Sequence, residues 1–156
     1  MYSAEERLRD LGIDFPPTRM NGRGGVPVKI VGDLLFLGNV APTGEDGALA
    51  FCGRIGAEYD AAEGYRAARL VGLNALRLIK DALGNLDRVD YVVKAIAMVS
   101  AVPGYGGIYK VADGFSDVLT EALGERGKHA RNAVGASTLN GNAPVMCDAI
   151  VKIRQA

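Results

Sequence analysis

Apolar positions set the outline of this chain. Between Asp60 and Gly84, Tyr65, Ala68, Gly72, Ala75, Ile79 and Leu83 recur at helical spacing along one face. Asp60 stands three residues ahead of Glu63, so each side chain can satisfy a free backbone amide at a helix start, and Gly84 supplies the stop. The spacing predicts a helix over about residues 60–83, whose small residues suit close packing on a sheet. Ile108, Val111, Phe115, Val118, Leu119 and Ala122 repeat in the same way before Gly124, which predicts a second amphipathic helix. A short helix over residues 3–12, with Leu8 and Leu11 on one face, reads as an appendage.

The strands follow from shorter runs. Residues 28–31 and 34–37 are apolar and flank Gly32-Asp33, a two-residue turn signal, so they predict a hairpin. Residues 88–100 are rich in Val, Ile and Ala with few charges, the composition of a central strand buried on both faces. Residues 129–138 and 144–153 flank Asn140-Gly141 and predict a second hairpin. Pro16-Pro17 and the cluster from Gly22 to Gly25 form a connector, and the glycines and proline of residues 41–57 predict an irregular loop with at most one short strand near Leu49. Hairpin, helix, strand, helix, hairpin describes an α+β fold with two helices on one face of a mixed sheet. The other face needs cover, which self-association would supply.

Composition then removes options. The chain has 156 residues, enough for one core. Eighteen basic and eighteen acidic residues cancel and are scattered, so no long-range field draws the chain toward phosphate backbones or anionic membranes, and nucleic acid is a poor partner. Two cysteines and one histidine offer neither a metal-cluster spacing nor a disulfide framework, and no cofactor motif is complete. The charged N-terminus and the absence of a run of about 18 apolar residues lead to the expectation of a cytoplasmic protein.

Candidate chemistry is sparse. Arg131, at the start of a predicted strand, could hold a carboxylate through two parallel hydrogen bonds or pair with a surface acid. Alternation along the last strand puts Val145, Cys147, Ala149 and Val151 on one face and Met146, Asp148, Ile150 and Lys152 on the other. Asp148 thus has apolar neighbours that would raise its pKa, which suits either a water-orienting carboxylate or an interface partner for a basic group. His129 has no fixed partner in sequence and receives no role; Cys147 reads as a core residue, and Gly104-Tyr105-Gly106-Gly107 as a plain turn.

Four segments, in consistent order over about residues 26–153, carry a resemblance. They are Asp60-Ala61-Ala62-Glu63-Gly64-Tyr65-Arg66-Ala67-Ala68-Arg69, Leu86-Asp87-Arg88-Val89, Asp113-Gly114-Phe115-Ser116-Asp117 and His129-Ala130-Arg131-Asn132-Ala133-Val134-Gly135. Together the chain resembles the Rid (YjgF) family, in a branch with an N-terminal extension, here residues 1–25 ahead of a domain at 26–156. The resemblance implies a chorismate-mutase-like fold assembled as a homotrimer with clefts between subunits, and no metal or organic cofactor. It implies hydrolytic deamination of reactive 2-imino acids to 2-keto acids and ammonia. In that scheme Arg131 binds the substrate carboxylate, the backbone of Ala133 meets the imine or water, and Asp148 replaces the family's water-positioning glutamate. Ala133 also stands where the family's deaminases usually have cysteine. The competing expectations are a non-catalytic trimer that binds small carboxylate metabolites or a protein partner, and an endoribonuclease-type activity, to which the neutral charge lends no support.

Overall fold

A computed structural model describes residues 2–14 and 25–155. Its elements are helix α1 (Ala4–Asp10), strands β1 (Val28–Val31) and β2 (Leu34–Val40), helix α2 (Ala61–Leu83), strand β3 (Val89–Ser100), helix α3 (Ile108–Leu123), and strands β4 (Ala130–Ala136) and β5 (Val145–Ile153). The predicted cap of α2 forms in full: Glu63 N donates to Asp60 Oδ1 at 2.8 Å and Asp60 N to Glu63 Oε2 at 2.9 Å. Gly84 closes the helix at φ 80°, a left-handed position that glycine takes without strain. The first hairpin also forms, turning at Gly32 with φ 61°. Most of the predicted connector lies outside the described residues.

The five strands make one mixed sheet in the order β1-β2-β5-β3-β4. This corrects the second hairpin, because β4 and β5 are not neighbours. β4 pairs in parallel with β3 at the sheet edge, whereas β5 runs antiparallel between β2 and β3. Asn140 and Gly141 do sit in a tight turn, and Gly141 and Asn142 take φ 65° and 63°. The Asn142 carbonyl, however, accepts from Gly53 N at 2.8 Å, so the turn is tied to the loop before α2. Burial decides the placement: six of the nine β5 residues are apolar and buried, while β4 has no buried residue and takes the edge.

α2 and α3 cover one face. Their contact explains the small residues better than sheet packing does. A Cβ on Gly114 would meet Tyr65 O at 2.2 Å, and one on Gly72 would meet Val118 Cβ at 2.9 Å, so the glycines bring helix against helix. Tyr65 Oη donates to Asp117 Oδ2 at 2.7 Å, and Arg69 forks onto Glu121 at 2.8 and 2.9 Å across the same seam. α1 is docked as a third helix rather than appended: Ala4 and Leu8 are buried, and Ala4 N donates to Asp87 Oδ1 at 3.1 Å.

β3 also departs from expectation, since only one of its faces is covered. Val92, Ala95, Ala97 and Val99 are buried under the helices, while Tyr91 is 45 % and Val93 37 % exposed. The open face further carries Phe36, Ile96, Met98, Val134, Met146 and Ile150. That is a larger contiguous apolar surface than isolated exposed residues would give. Residues 41–57 form the irregular segment expected, with isolated bridges and no strand, and Asn74 of α2 pins it by donating to Ala41 O and Thr43 O at 3.0 Å.

Candidate functional site

Side chains at paired positions of a sheet share a face. Arg131 lies beside Ala95, and Ala133 beside Ala97, so both residues point to the helix side. Ala133 packs at the margin of the core, and a Cβ on Gly135 would meet Ile108 Cδ1 at 3.0 Å, which fixes α3 over this stretch of β4. Asp148 lies beside Ile96, whose other neighbour is Asn132, and so projects from the open face. Within one chain the structure brings Arg131 and Ala133 together. It does not bring Asp148 to them.

Arg131 is held by α3. Its Nη1 donates to Ser116 Oγ at 3.0 Å and lies 2.9 Å from Asp113 Oδ1. Asp113 and Ser116 are three residues apart in a helix and therefore present adjacent groups to the strand. Nε and Nη2 of Arg131 have no partner among the described residues, so one edge of the guanidinium fork remains available.

Behind Arg131 stands a directed chain of hydrogen bonds. His129 Nδ1 is 2.7 Å from Gly127 O, and Nε2 is 3.0 Å from Ser116 Oγ. A carbonyl oxygen only accepts, so Nδ1 carries the proton, Nε2 accepts, and the Ser116 hydroxyl donates to it. Gly127 can offer that carbonyl because its backbone lies against the end of α3: a Cβ there would meet Leu119 O at 2.2 Å. Burial holds His129 below its usual pKa of 6.5, Arg131 adds to the effect, and the Gly127 contact opposes it. The ring is thus neutral near pH 7. Ser116, Thr120, Lys128, His129 and Arg131 line one open pocket. Sequence reasoning left Ser116 out and gave His129 no role. The available signal was the row Asp113, Ser116, Thr120 at helical spacing along one side of α3.

Asp148 occupies a separate hollow with Phe36, Lys94, Ile96 and Ile150. Desolvation raises its pKa above the usual 3.8, against the lowering pull of the Ile96 backbone and the Lys94 charge. The expected apolar surroundings are therefore present. Cys147 is fully buried beside it in sequence, and burial pushes its thiol far up, which leaves it a core residue. Cys52 is exposed in the loop.

Comparison with known proteins agrees with this architecture. A family described as "YjgF/chorismate_mutase-like, putative endoribonuclease" matches residues 5–151. A Trypanosoma cruzi protein called TCP17 is 35% identical over 147 residues, covering 94% of this chain and 91% of that one. The crystal structure of Atu1372 from Agrobacterium tumefaciens, a protein of unknown function, is 38% identical with a TM-score of 0.89, covering 97% of this chain and 92% of its own. An endoribonuclease-labelled structure from Shewanella oneidensis is 29% identical with a TM-score of 0.93, covering 97% and 99%. With one fold, one order of motifs and a match over nearly its whole length, the chain belongs to the YjgF/chorismate mutase-like family.

Proposed function

We propose that this protein hydrolyses 2-imino acids and their enamine tautomers to 2-keto acids and ammonia, at a site built around Arg131 and completed by a neighbouring subunit. The observation that carries this reading is the half-engaged guanidinium. Nη1 is fixed by Asp113 and Ser116, while Nε and Nη2, which have no partner among the described residues, form an edge at an open pocket. Two parallel donors match a carboxylate better than a single ammonium does. An imine carbon is already electrophilic, so holding the anion and placing a water is a sufficient demand on the protein. In this scheme Asp148 reaches the carboxylate-binding edge from another subunit, because its own chain puts the sheet between them. The uncovered apolar face supports a homotrimer.

The test uses freshly generated 2-iminobutyrate with semicarbazide trapping. Arg131→Ala should lower kcat/KM about 10- to 100-fold, the range expected for losing a charge-assisted pair. Asp148→Asn should also be impaired. Oligomers mixed from the two variants should regain part of the activity, since some clefts would then hold both native residues. Equal activity of wild type and Arg131→Ala would sink the proposal.

One observation favours a second reading, a non-catalytic trimer that binds small carboxylate metabolites. Ala133 carries no reactive group, and Asp148 is remote from Arg131 within the chain. A binding trimer would be stabilised against heat by 2-keto acids without turnover, and Arg131→Ala would lose that stabilisation.

A further inference from the structure

The geometry points to Ser116 as the group that accepts the proton of the attacking water, with His129 as the proton's destination behind it. This inference rests on the deaminase reading and names a base for it on the Arg131 side of the sheet, where no carboxylate of the chain takes that role.

Valence decides the argument. A serine hydroxyl has one proton to donate and two lone pairs that accept. The proton goes to His129 Nε2 at 3.0 Å, and one lone pair takes Arg131 Nη1 at 3.0 Å. The second lone pair has no partner among the described residues, and Ser116 lines the same pocket as Arg131. A water placed over a carboxylate-bound substrate can donate to it. The three-member order, hydroxyl then imidazole then a fixed orienting acceptor, is the arrangement that makes a hydroxyl proton mobile. Here the orienting acceptor is the Gly127 carbonyl at 2.7 Å, locked by the close approach of Gly127 to α3. Asp113 lies beside Arg131 and is ion-paired with it at 2.9 Å.

For an iminium substrate the step balances. The water oxygen bonds to C2, its proton passes to Ser116 Oγ, and the Ser116 proton passes to His129 Nε2. The C2=N π pair becomes the lone pair of an amine. His129 then returns the proton through Ser116 to that nitrogen. The C–N bond breaks, its electrons leave with ammonia, and the C2 hydroxyl becomes the carbonyl as its own proton passes to Ser116 and on to the departing ammonia. Iminium and water give keto acid and ammonium, with Ser116 and His129 restored.

Ser116→Ala and His129→Gln are the informative variants. Glutamine keeps an acceptor near the position of Nε2 without a titratable nitrogen, so it preserves the fold and the Ser116 contact while removing the proton's destination. With thermal melts confirming folded protein, both variants should lower kcat about 100-fold or more, the usual scale for losing positioned proton transfer, with KM changed less than about threefold. The wild-type kcat should fall on acidification below the usual histidine range, and His129→Gln should lack that limb. Charged groups around the ring are Arg131 on β4, Asp113 on α3, and Lys128, which is itself paired with Glu125 at 2.7 Å. If KM rises while kcat stays constant, Ser116 and His129 merely brace Arg131, and the relay is overturned. Wild-type activity that both variants retain overturns the relay and leaves the deaminase reading standing. An inert wild type that still binds 2-keto acids overturns both.

Discussion

The two faces of this sheet obey different rules. On the helix side, burial and close backbone approach leave one arrangement available. Gly114 sits against Tyr65 O, Gly127 against Leu119 O, and the polar groups at the margin form a chain in which each proton has a defined acceptor. On the open side, apolar side chains and Lys94 surround Asp148, and Phe36, Tyr91, Val93 and Val134 stay exposed. One face is a finished interior with a built polar pocket at its edge. The other has the composition of an interior and the exposure of a surface. The difference separates residues whose burial specifies the fold from apolar residues that stay open to solvent.

Substitutions can probe each side separately. The largest effect is expected at Gly114→Leu, which forces α2 and α3 apart. It should destabilise the chain by roughly 3 kcal/mol in urea titrations, the upper part of the range for overpacking. A change within experimental error would mean that the helices can separate freely and that this face is less determined than its geometry indicates. Next comes Phe36→Glu, on the open face, where Phe36 is 39 % exposed. It should weaken self-association by about 2 kcal/mol per contact, read as a shift to lower mass in sedimentation, with the monomer's own unfolding little altered. An unchanged mass would show that association, if any, uses another surface.

The smallest effect concerns Asp148, and its sign follows from its pKa. A carboxyl raised above 3.8 by burial keeps its proton in the folded chain at pH values where the unfolded chain has lost it. Stability is therefore fully available below about pH 3.8 and declines as pH rises through the folded value. Asp148→Asn should remove that decline and add a few tenths of a kcal/mol at pH 7, a figure kept small because the group is only partly buried. A net loss at pH 7, measured against the same variant at pH 4, would indicate that the Ile96 and Lys94 contacts outweigh desolvation.

Local signals were legible where local physics decides. Asp60, Glu63 and Gly84 bound α2, because capping needs only neighbours in sequence. The alternation of β5 was readable too: Val145, Cys147, Ala149 and Val151 are buried on the helix side, and Asp148 faces away. Asn140-Gly141 was misleading in its consequence. The left-handed turn it favours is there, but a turn fixes only the chain's direction over a few residues. Whether the next strand returns beside the last depends on which slot in the sheet best buries it. The polar contacts missed around Arg131 have the same origin. Ser116 on α3 and His129 just before β4 are 13 residues apart, and no periodicity relates them.

The sequence by itself determined the α+β class, the helix limits and the two-sided character of β5. Each of these rests on spacing within a few residues, where backbone geometry converts sequence directly into position. Only the tertiary structure decided that β5 lies between β2 and β3, that Arg131 and Asp148 occupy opposite faces, and that His129 reaches Arg131 through Ser116. Those outcomes depend on register across several strands and on the seating of α3 over β4. Non-local burial fixes them, and no short window of the chain contains it.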